Sequence, residues 1–198
     1  MREYDIVRAP TPLNWEKVPT LAIDTPLWGT NADIGAWAQI CWDDEGLLVR
    51  LRARERDIRA EYTGLTDMPC EDSCLEFFFS PRPGDSRYFN IEFNPNCCVY
   101  LGLCDGRDAL VRLLPEGFSL EPQAERTADG WEVRYRVPFT LIRHFFPDFA
   151  PAKGDAMRAN CFKCGELTPV PHYFSWNPCS SPEPEFHRQA DFGLMCFA

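Results

Sequence analysis

Short segments in which apolar and polar residues alternate constrain the fold of this chain more than any other feature of its sequence. In residues 47–53, Leu47, Val49 and Leu51 occupy every second position, and two arginines lie at the positions between and after them. Residues 130–137 follow the same two-residue period. Because successive side chains of a β-strand point to opposite faces, this period predicts strands with one buried and one largely solvated face.

The same period predicts ten strands along the chain, separated by segments rich in proline and glycine, which occur 18 and 12 times. The predicted strands are residues 36–42, 47–53, 74–80, 87–94, 98–104, 118–125, 130–137, 157–163, 173–176 and 192–197. One short helix is predicted over residues 139–146, directly after Pro138. Many short strands with almost no helix predict an all-β fold: an antiparallel, jelly-roll-like β-sandwich with one short helix.

Length and charge limit the domain organisation and the partners. The 198 residues contain no internal repeat and no linker, so we expect a single domain over residues 1–198. A net charge of −10 argues against nucleic-acid binding. No apolar run approaches the ~20 residues of a membrane span, and the first ten residues lack a signal-peptide pattern. We therefore expect a cytoplasmic protein without nucleic-acid or membrane partners; the sequence does not indicate an oligomeric state.

Ten cysteines raise the question of metal binding. Cys161 and Cys164 form a CxxC motif, for which zinc is the specific hypothesis. The motif falls on a predicted strand, where residues three apart face opposite sides, and there is no second CxxC. Packed, reduced thiols are therefore the favoured interpretation. The acidic loops at residues 43–45 and 71–72 offer oxygen ligands for calcium, but without the spacing of an EF-hand.

A polar sheet face is the first candidate site. If the third and fourth predicted strands pair as a hairpin, Glu76 joins Asn90 and Glu92 on one face. Carboxylates and amides are suitable partners for sugar hydroxyls. Arg158 and Asn160, on another strand, offer further hydrogen-bond donors. A solvated sheet face is the alternative, as is a glycosidase in which Glu76 and Glu92 lie about 5 Å apart.

Trp176 is the second candidate. It follows a short aromatic run and stands at the entrance of a proline-rich loop. Its indole would provide a flat apolar platform with a polar edge, which suits the face of a sugar ring. The alternative is a core tryptophan beneath the loop. His172, nearby, is expected to have a structural or ligand-contacting role, because no catalytic histidine motif is present.

Several segments in order resemble carbohydrate-binding module family 9-like domains, and the resemblance is closest to stand-alone members. The segments are CEDSCLEFFFSP (70–81), RYFNIEFN (87–94), GWEVRYRVPFTLI (130–142), MRANCFKCGE (157–166), PHYFSWNP (171–178) and FHRQADFGLMCF (186–197). The resemblance implies a β-sandwich that binds a mono- or oligosaccharide, or the end of a polysaccharide chain, without chemistry. It also implies a ligand gripped between two tryptophans, and structural calcium in some members.

The resemblance carries over residue by residue only in part. Trp176 matches one of the two tryptophans, and Glu76 matches a hydrogen-bonding carboxylate. Cys70 stands where the second tryptophan is expected, and a thiol cannot supply a stacking face. Another aromatic residue would have to take that place, and the candidates are Trp28, Trp42, Tyr62 and Tyr173.

The sequence therefore predicts non-catalytic carbohydrate binding that requires no cofactor. The expected site residues are Trp176 for stacking, Glu76, Asn90, Glu92, Arg158 and Asn160 for hydroxyl groups, and Lys163 and His172 at the rim. Two alternatives stay open. One is an interaction or sensor module that has lost sugar binding, and the other is a glycoside hydrolase that uses Glu76 and Glu92.

Overall fold

The computed structural model describes residues 1–114 and 118–198, which form fourteen strands and one α-helix. The strands are β1 (Glu3–Arg8), β2 (Leu21–Ala22), β3 (Thr25–Pro26), β4 (Gly35–Trp42), β5 (Gly46–Arg54), β6 (Cys74–Ser80), β7 (Tyr88–Phe93), β8 (Val99–Cys104), β9 (Leu110–Arg112), β10 (Gln123–Arg126), β11 (Gly130–Pro138), β12 (Ala156–Gly165), β13 (His172–Ser175) and β14 (Gly193–Phe197). The helix is α1 (Phe139–Phe145), and short 3-10 turns occur at Trp15–Lys17, Pro69–Glu71 and Gln189–Asp191. Among the described helices, none is long and apolar enough to cross a membrane.

The strands form two sheets that are joined through β1. The first sheet has the order β10-β11-β5-β4-β1, with β2 added to β4. The second has the order β14-β12-β6-β7-β8-β9, with β13 on β12 and β3 on β13. Strand β1 pairs with both β4 and β14, and both pairings are parallel. The expected antiparallel arrangement is thus correct for the other pairings, and β1 is the exception.

The two sheets pack face to face, which confirms the predicted sandwich. Apolar side chains from both sheets, including Val49 and Phe77, belong to one buried cluster. Phe93 of the second sheet and Tyr135 of the first have ring centroids 4.8 Å apart across the core. This packing buries the inner face of each strand. The outer face of the second sheet carries a smaller apolar cluster, which includes Phe78 and Phe162, beside polar residues.

The predicted strands agree with the structure where their pairing is local. Strand β6 begins and ends where predicted, and the 43–46 turn joins β4 and β5 as a hairpin. Helix α1 begins after Pro138, as expected, and ends one residue early at Phe145. The predicted strand over residues 118–125 is wrong in its bounds, because only Gln123–Arg126 pairs with β11. Strand β1 was not predicted, since it forms through partners distant in sequence.

Candidate functional site

A cavity of about 400 Å³ opens on the outer face of the second sheet, over β6 and β7. We call it the β6–β7 cavity. Its floor is polar and consists of Glu76, Asn90 and Glu92. Its wall is aromatic and its rim is charged: the wall residues include Trp28, Tyr100, Tyr173 and Phe186, and the rim includes Arg107, Glu166 and Glu185.

The floor is built by the β6–β7 hairpin, as the sequence predicts. Glu76 lies directly opposite Glu92, and Asn90 lies opposite Phe78, so the strand period places the three polar side chains on the outer face. All three are buried, with at most 5 % of Glu92 exposed. The Asn90 Nδ2 donates to Glu92 Oε1 at 2.9 Å, and the Cys164 thiol donates to Glu76 Oε1 at 2.9 Å.

Two acceptor atoms of this floor have no hydrogen-bond partner among the described residues. They are Asn90 Oδ1 and Glu92 Oε2, and both are inaccessible to bulk solvent. A buried polar atom without a partner costs roughly 1–3 kcal/mol, so such atoms are rare unless a ligand or water satisfies them. When Glu92 is ionised, both atoms accept, and the group that completes them must then donate hydrogen bonds.

The two glutamates of the floor do not titrate as surface carboxyls. Burial raises the pKa of Glu92 to about 7, while the hydrogen bond from Asn90 opposes that shift. Burial, and then the charge of Glu92, raise the pKa of Glu76 well above its ordinary value. Arg107 at the rim already pairs with Glu185 at 3.0 Å. The cavity therefore holds more carboxyl groups than cations.

The aromatic wall is held by turns and by edge-to-face contacts. Trp28 is half-buried, and its Nε1 donates to the Ser181 carbonyl at 2.9 Å. Its ring centroid lies 5.3 Å from both Tyr173 and Phe186. The backbone of Trp28 has a φ of +49°, a conformation that non-glycine residues seldom adopt and that marks a constrained turn. Of the four aromatic residues considered as replacements for the missing stacking partner, Trp28 and Tyr173 line this cavity.

The environment of Trp176 differs from the expectation that its indole forms an open platform for a sugar ring. It is only 3 % exposed and belongs to the main core. Its ring packs so closely on Gly193 that a Cβ built on that glycine would lie 2.6 Å from the indole. The reason is the strand period: Tyr173 faces the cavity, whereas Phe174 and Trp176 face the core.

Arg158 and Asn160 are also structural and lie outside the cavity lining. The Arg158 guanidinium donates to the carbonyl groups of Phe192 and Gly193. Asn160 donates to the Asn177 carbonyl at 2.9 Å and accepts from the Asn177 amide at 2.8 Å. These bonds attach the C-terminal segment to β12, so the predicted role in hydroxyl binding is not supported for either residue.

Lys163 and His172 are not rim residues, because they lie inside the sandwich. Lys163 is fully buried, and its Nζ lies 3.2 Å from Glu55 Oε2 and 2.7 Å from His172 Nε2. Burial and the Lys163 charge lower the pKa of His172 to about 4, so the imidazole is neutral at physiological pH. Glu55 also accepts from Ser73 and Trp131. We call these five residues the Glu55 cluster.

A larger cavity of about 700 Å³ lies over part of the Glu55 cluster, and its lining includes Glu55, His172, Arg54 and Asp129. Among the described residues that line it, there is no Trp, Tyr or Phe side chain. The buried charges beneath it already have partners in the cluster. The β6–β7 cavity is smaller, but it combines aromatic faces with unpartnered acceptors, and it is therefore the candidate functional site.

Sequence reasoning missed several wall residues, of which Tyr100 is the clearest. Tyr100 lies directly opposite Glu92 in the β7–β8 pair. Extending the hairpin argument by one strand would have placed it beside the polar floor. Phe186 belongs to the proline-rich C-terminal loop and stacks on Phe162 with centroids 4.1 Å apart. No local pattern indicates that this loop folds over β6 and β7.

The candidate metal ligands also have defined places. Asp43 pairs with Arg136 at 2.7 Å, and Asp72 Oδ2 accepts from the backbone amides of Glu61 and Tyr62. These carboxylates have protein partners, although Asp72 Oδ1 has no hydrogen-bond partner among the described residues, so structural calcium stays a prediction. Cys161 belongs to the core between the sheets, whereas Cys164 bonds to Glu76 on the other face. The CxxC pair therefore does not form a joint ligand set, as the strand argument predicts.

Comparison with known proteins agrees with this architecture. A candidate carbohydrate-binding protein from Bacteroides uniformis superposes with a TM-score of 0.83 and 22% identity, covering 98% of this chain and 99% of that chain. A family 9 carbohydrate-binding module from Caldicellulosiruptor kristjanssonii, solved with cellotriose, gives a TM-score of 0.73 at 13% identity over 99% and 93% of the two chains. The glucose complex from that organism gives 0.71 at 14% identity over 100% and 96%.

These structural similarities show a shared fold. A search of curated proteins gave no significant match. The family model described as carbohydrate-binding family 9 matches residues 8–197, which is nearly the whole chain. The chain therefore belongs to carbohydrate-binding family 9.

Proposed function

We propose that the protein binds a carbohydrate non-covalently in the β6–β7 cavity. The observation that carries this proposal is the pair of unpartnered acceptors, Asn90 Oδ1 and Glu92 Oε2, on a floor bordered by aromatic rings. Sugars combine hydroxyl donors around the ring with apolar C–H faces. The volume of about 400 Å³ also lies within the roughly 300–1,000 Å³ of small-molecule sites.

Each part of the cavity has a place in this binding mode. Two hydroxyl groups of the sugar donate to Asn90 and Glu92 after small side-chain movements open these two atoms to the cavity, which removes the cost of the unpartnered atoms. Trp28 and Tyr173 contact the C–H face of the ring, and they take the stacking role that the sequence assigned to Trp176. Arg107 and Glu166 at the rim contact hydroxyls farther from the floor.

The relatives favour a glucose-containing ligand. Of two family 9 structures similar to this chain, one contains cellotriose and the other contains glucose. A mono- or oligosaccharide of that type, or the end of a glucan chain, is therefore the first ligand class to test. The binding is non-catalytic in our proposal, in keeping with the carbohydrate-binding family whose model matches nearly the whole chain.

Isothermal titration calorimetry with glucose, cellobiose, cellotriose and xylobiose tests the proposal. Trp28→Ala and Asn90→Ala should each weaken binding at least about tenfold, which corresponds to the loss of about 1.4 kcal/mol. Trp15→Ala is the matched control, since Trp15 is half-buried outside the cavity lining. Far-ultraviolet circular dichroism verifies that each variant is folded.

Three outcomes would contradict the proposal. Equal affinities of Trp28→Ala, Asn90→Ala and the parent protein would place the sugar elsewhere. No binding to any glycan of a broad array would favour the interaction-module alternative. Turnover of an aryl glycoside that disappears in Glu76→Gln would show that the cavity is catalytic.

A further inference from the structure

The structure points to a divalent metal site beneath the β6–β7 cavity, and we propose that Cys74, Cys164 and Glu76 bind one zinc ion there. The CxxC motif does not provide this ligand set as a pair, because only its Cys164 takes part. It goes beyond carbohydrate binding and does not depend on it, although Glu76 belongs to both.

The geometry comes from the pairing of β6 with β12. Cys74 lies directly opposite Cys164 in this antiparallel pair, and Glu76 follows Cys74 by two residues on the same face. One donor atom from each of the three side chains lies within 4.8 Å of the other two. Tetrahedral zinc holds sulfur at about 2.3 Å and oxygen at about 2.0–2.2 Å, so its ligand atoms lie roughly 3.5 Å apart. To reach that geometry, Cys164 Sγ and Glu76 Oε1, now 2.9 Å apart, must separate slightly, while every donor pair already lies within 4.8 Å.

Metal ligands bind in their deprotonated forms. A zinc ion that binds here therefore displaces the thiol protons of Cys74 and Cys164, together with any proton on Glu76, to solvent.

The donor set selects the kind of metal. Two thiolates with one carboxylate suit a borderline-soft ion such as zinc, whereas calcium and magnesium require oxygen ligands. Three protein donors leave a fourth tetrahedral position. Because Glu76 lines the cavity, water or a hydroxyl group of a bound ligand can occupy that position.

Metal analysis of the full chain tests this site. The protein is reduced with a phosphine, stripped with a chelator, incubated with equimolar zinc chloride and desalted, and its zinc content is measured by mass spectrometry. We expect about one ion per chain. Cys74→Val and Cys164→Ala should each lower the retained zinc at least tenfold. Cobalt substitution should produce thiolate-to-metal charge-transfer absorption in the parent protein and in neither variant.

Matched controls separate this site from the other thiols and from sugar binding. Cys161→Ala removes a buried thiol three residues from Cys164 on the opposite face, and it should retain zinc. Asn90→Ala should weaken sugar binding and also retain zinc, so the two proposals fail independently.

The zinc proposal is wrong if the parent protein retains no metal. It is also wrong if Cys74→Val and Cys164→Ala, folded by circular dichroism, retain as much zinc as Cys161→Ala. Formation of a Cys74–Cys164 disulfide in the purified protein that zinc does not prevent would equally contradict it.

Discussion

Replacing Lys163 by methionine should unfold or strongly destabilise the protein, although the sequence places this lysine among the ligand-binding residues. Its ammonium is fully buried and faces Glu55 Oε2 at 3.2 Å, His172 Nε2 at 2.7 Å and the Cys164 carbonyl at 2.7 Å. Methionine has a similar length but no charge. The substitution would therefore leave the buried Glu55 carboxylate without its cation.

The expected magnitude follows from the burial of both partners. Removing one member of a buried ion pair costs about 3–5 kcal/mol, since the remaining charge stays desolvated. A domain has a total free energy of unfolding of about 5–15 kcal/mol, so Lys163→Met would remove a large part of it. Replacing both charged residues, in Lys163→Met with Glu55→Gln, removes the uncompensated charge. The double variant should be more stable than Lys163→Met by at least about 1 kcal/mol.

Urea unfolding, followed by tryptophan fluorescence, measures these differences. If Lys163→Met alone is unfolded in water, recovery of a cooperative transition in the double variant gives the same information. A loss below about 1 kcal/mol in Lys163→Met would refute the argument, because that is the range of exposed ion pairs. Simple additivity of the two single substitutions would refute it as well. Where Lys163→Met folds, unchanged sugar affinity would confirm that the lysine is not a ligand contact.

Three further predictions concern the site and its support. In metal-free protein, Glu92→Gln should gain stability relative to the parent as pH rises. The folded pKa of Glu92, about 7, exceeds the ordinary 4.5, so the parent should lose about 2 kcal/mol of stability between pH 5.5 and pH 8.5, measured by urea unfolding at those two pH values. Sugar affinity should rise through pH 7 and level off about one pH unit above it if hydroxyls donate to the ionised Glu92. Calorimetry that shows the opposite slope would exclude this contact. Trp176→Ala should lower the free energy of unfolding by about 3–5 kcal/mol, because it truncates a core side chain. Gly193→Ala should lower it by about 1–3 kcal/mol, because the added methyl group overpacks the same indole. Thermal unfolding measures both, and little change in either would mean that Trp176 is not a core residue.

The polar floor of the site could be derived from the sequence because it depends on local geometry. The two-residue period and the 81–84 turn determine that Glu76, Asn90 and Glu92 share one face of a hairpin. The same period separates Cys161 from Cys164. Hairpin pairing involves residues near each other in sequence, so no knowledge of the rest of the fold is needed.

Only tertiary packing decides which face of each strand is buried and which face is exposed. The period shows that Tyr173 and Trp176 point to opposite faces, but it does not show which face the first sheet covers. The covering sheet made Trp176 a core residue and left Tyr173 at the cavity. Lys163, which a sequence argument places at the surface because of its charge, is stable inside because Glu55 comes from the opposite sheet.

The sequence by itself thus determined the class of fold, the hairpin and its carboxylate and amide groups. The tertiary structure decided the aromatic wall, because Trp28 and Phe186 arrive on loops that are far from β6 and β7 in sequence. It also decided the thiol and carboxylate cluster, since Cys74 and Cys164 meet through the β6–β12 pairing. Periodicity is a property of neighbouring residues, whereas a binding site is assembled from contacts between distant ones, and those contacts form only when the whole sandwich closes.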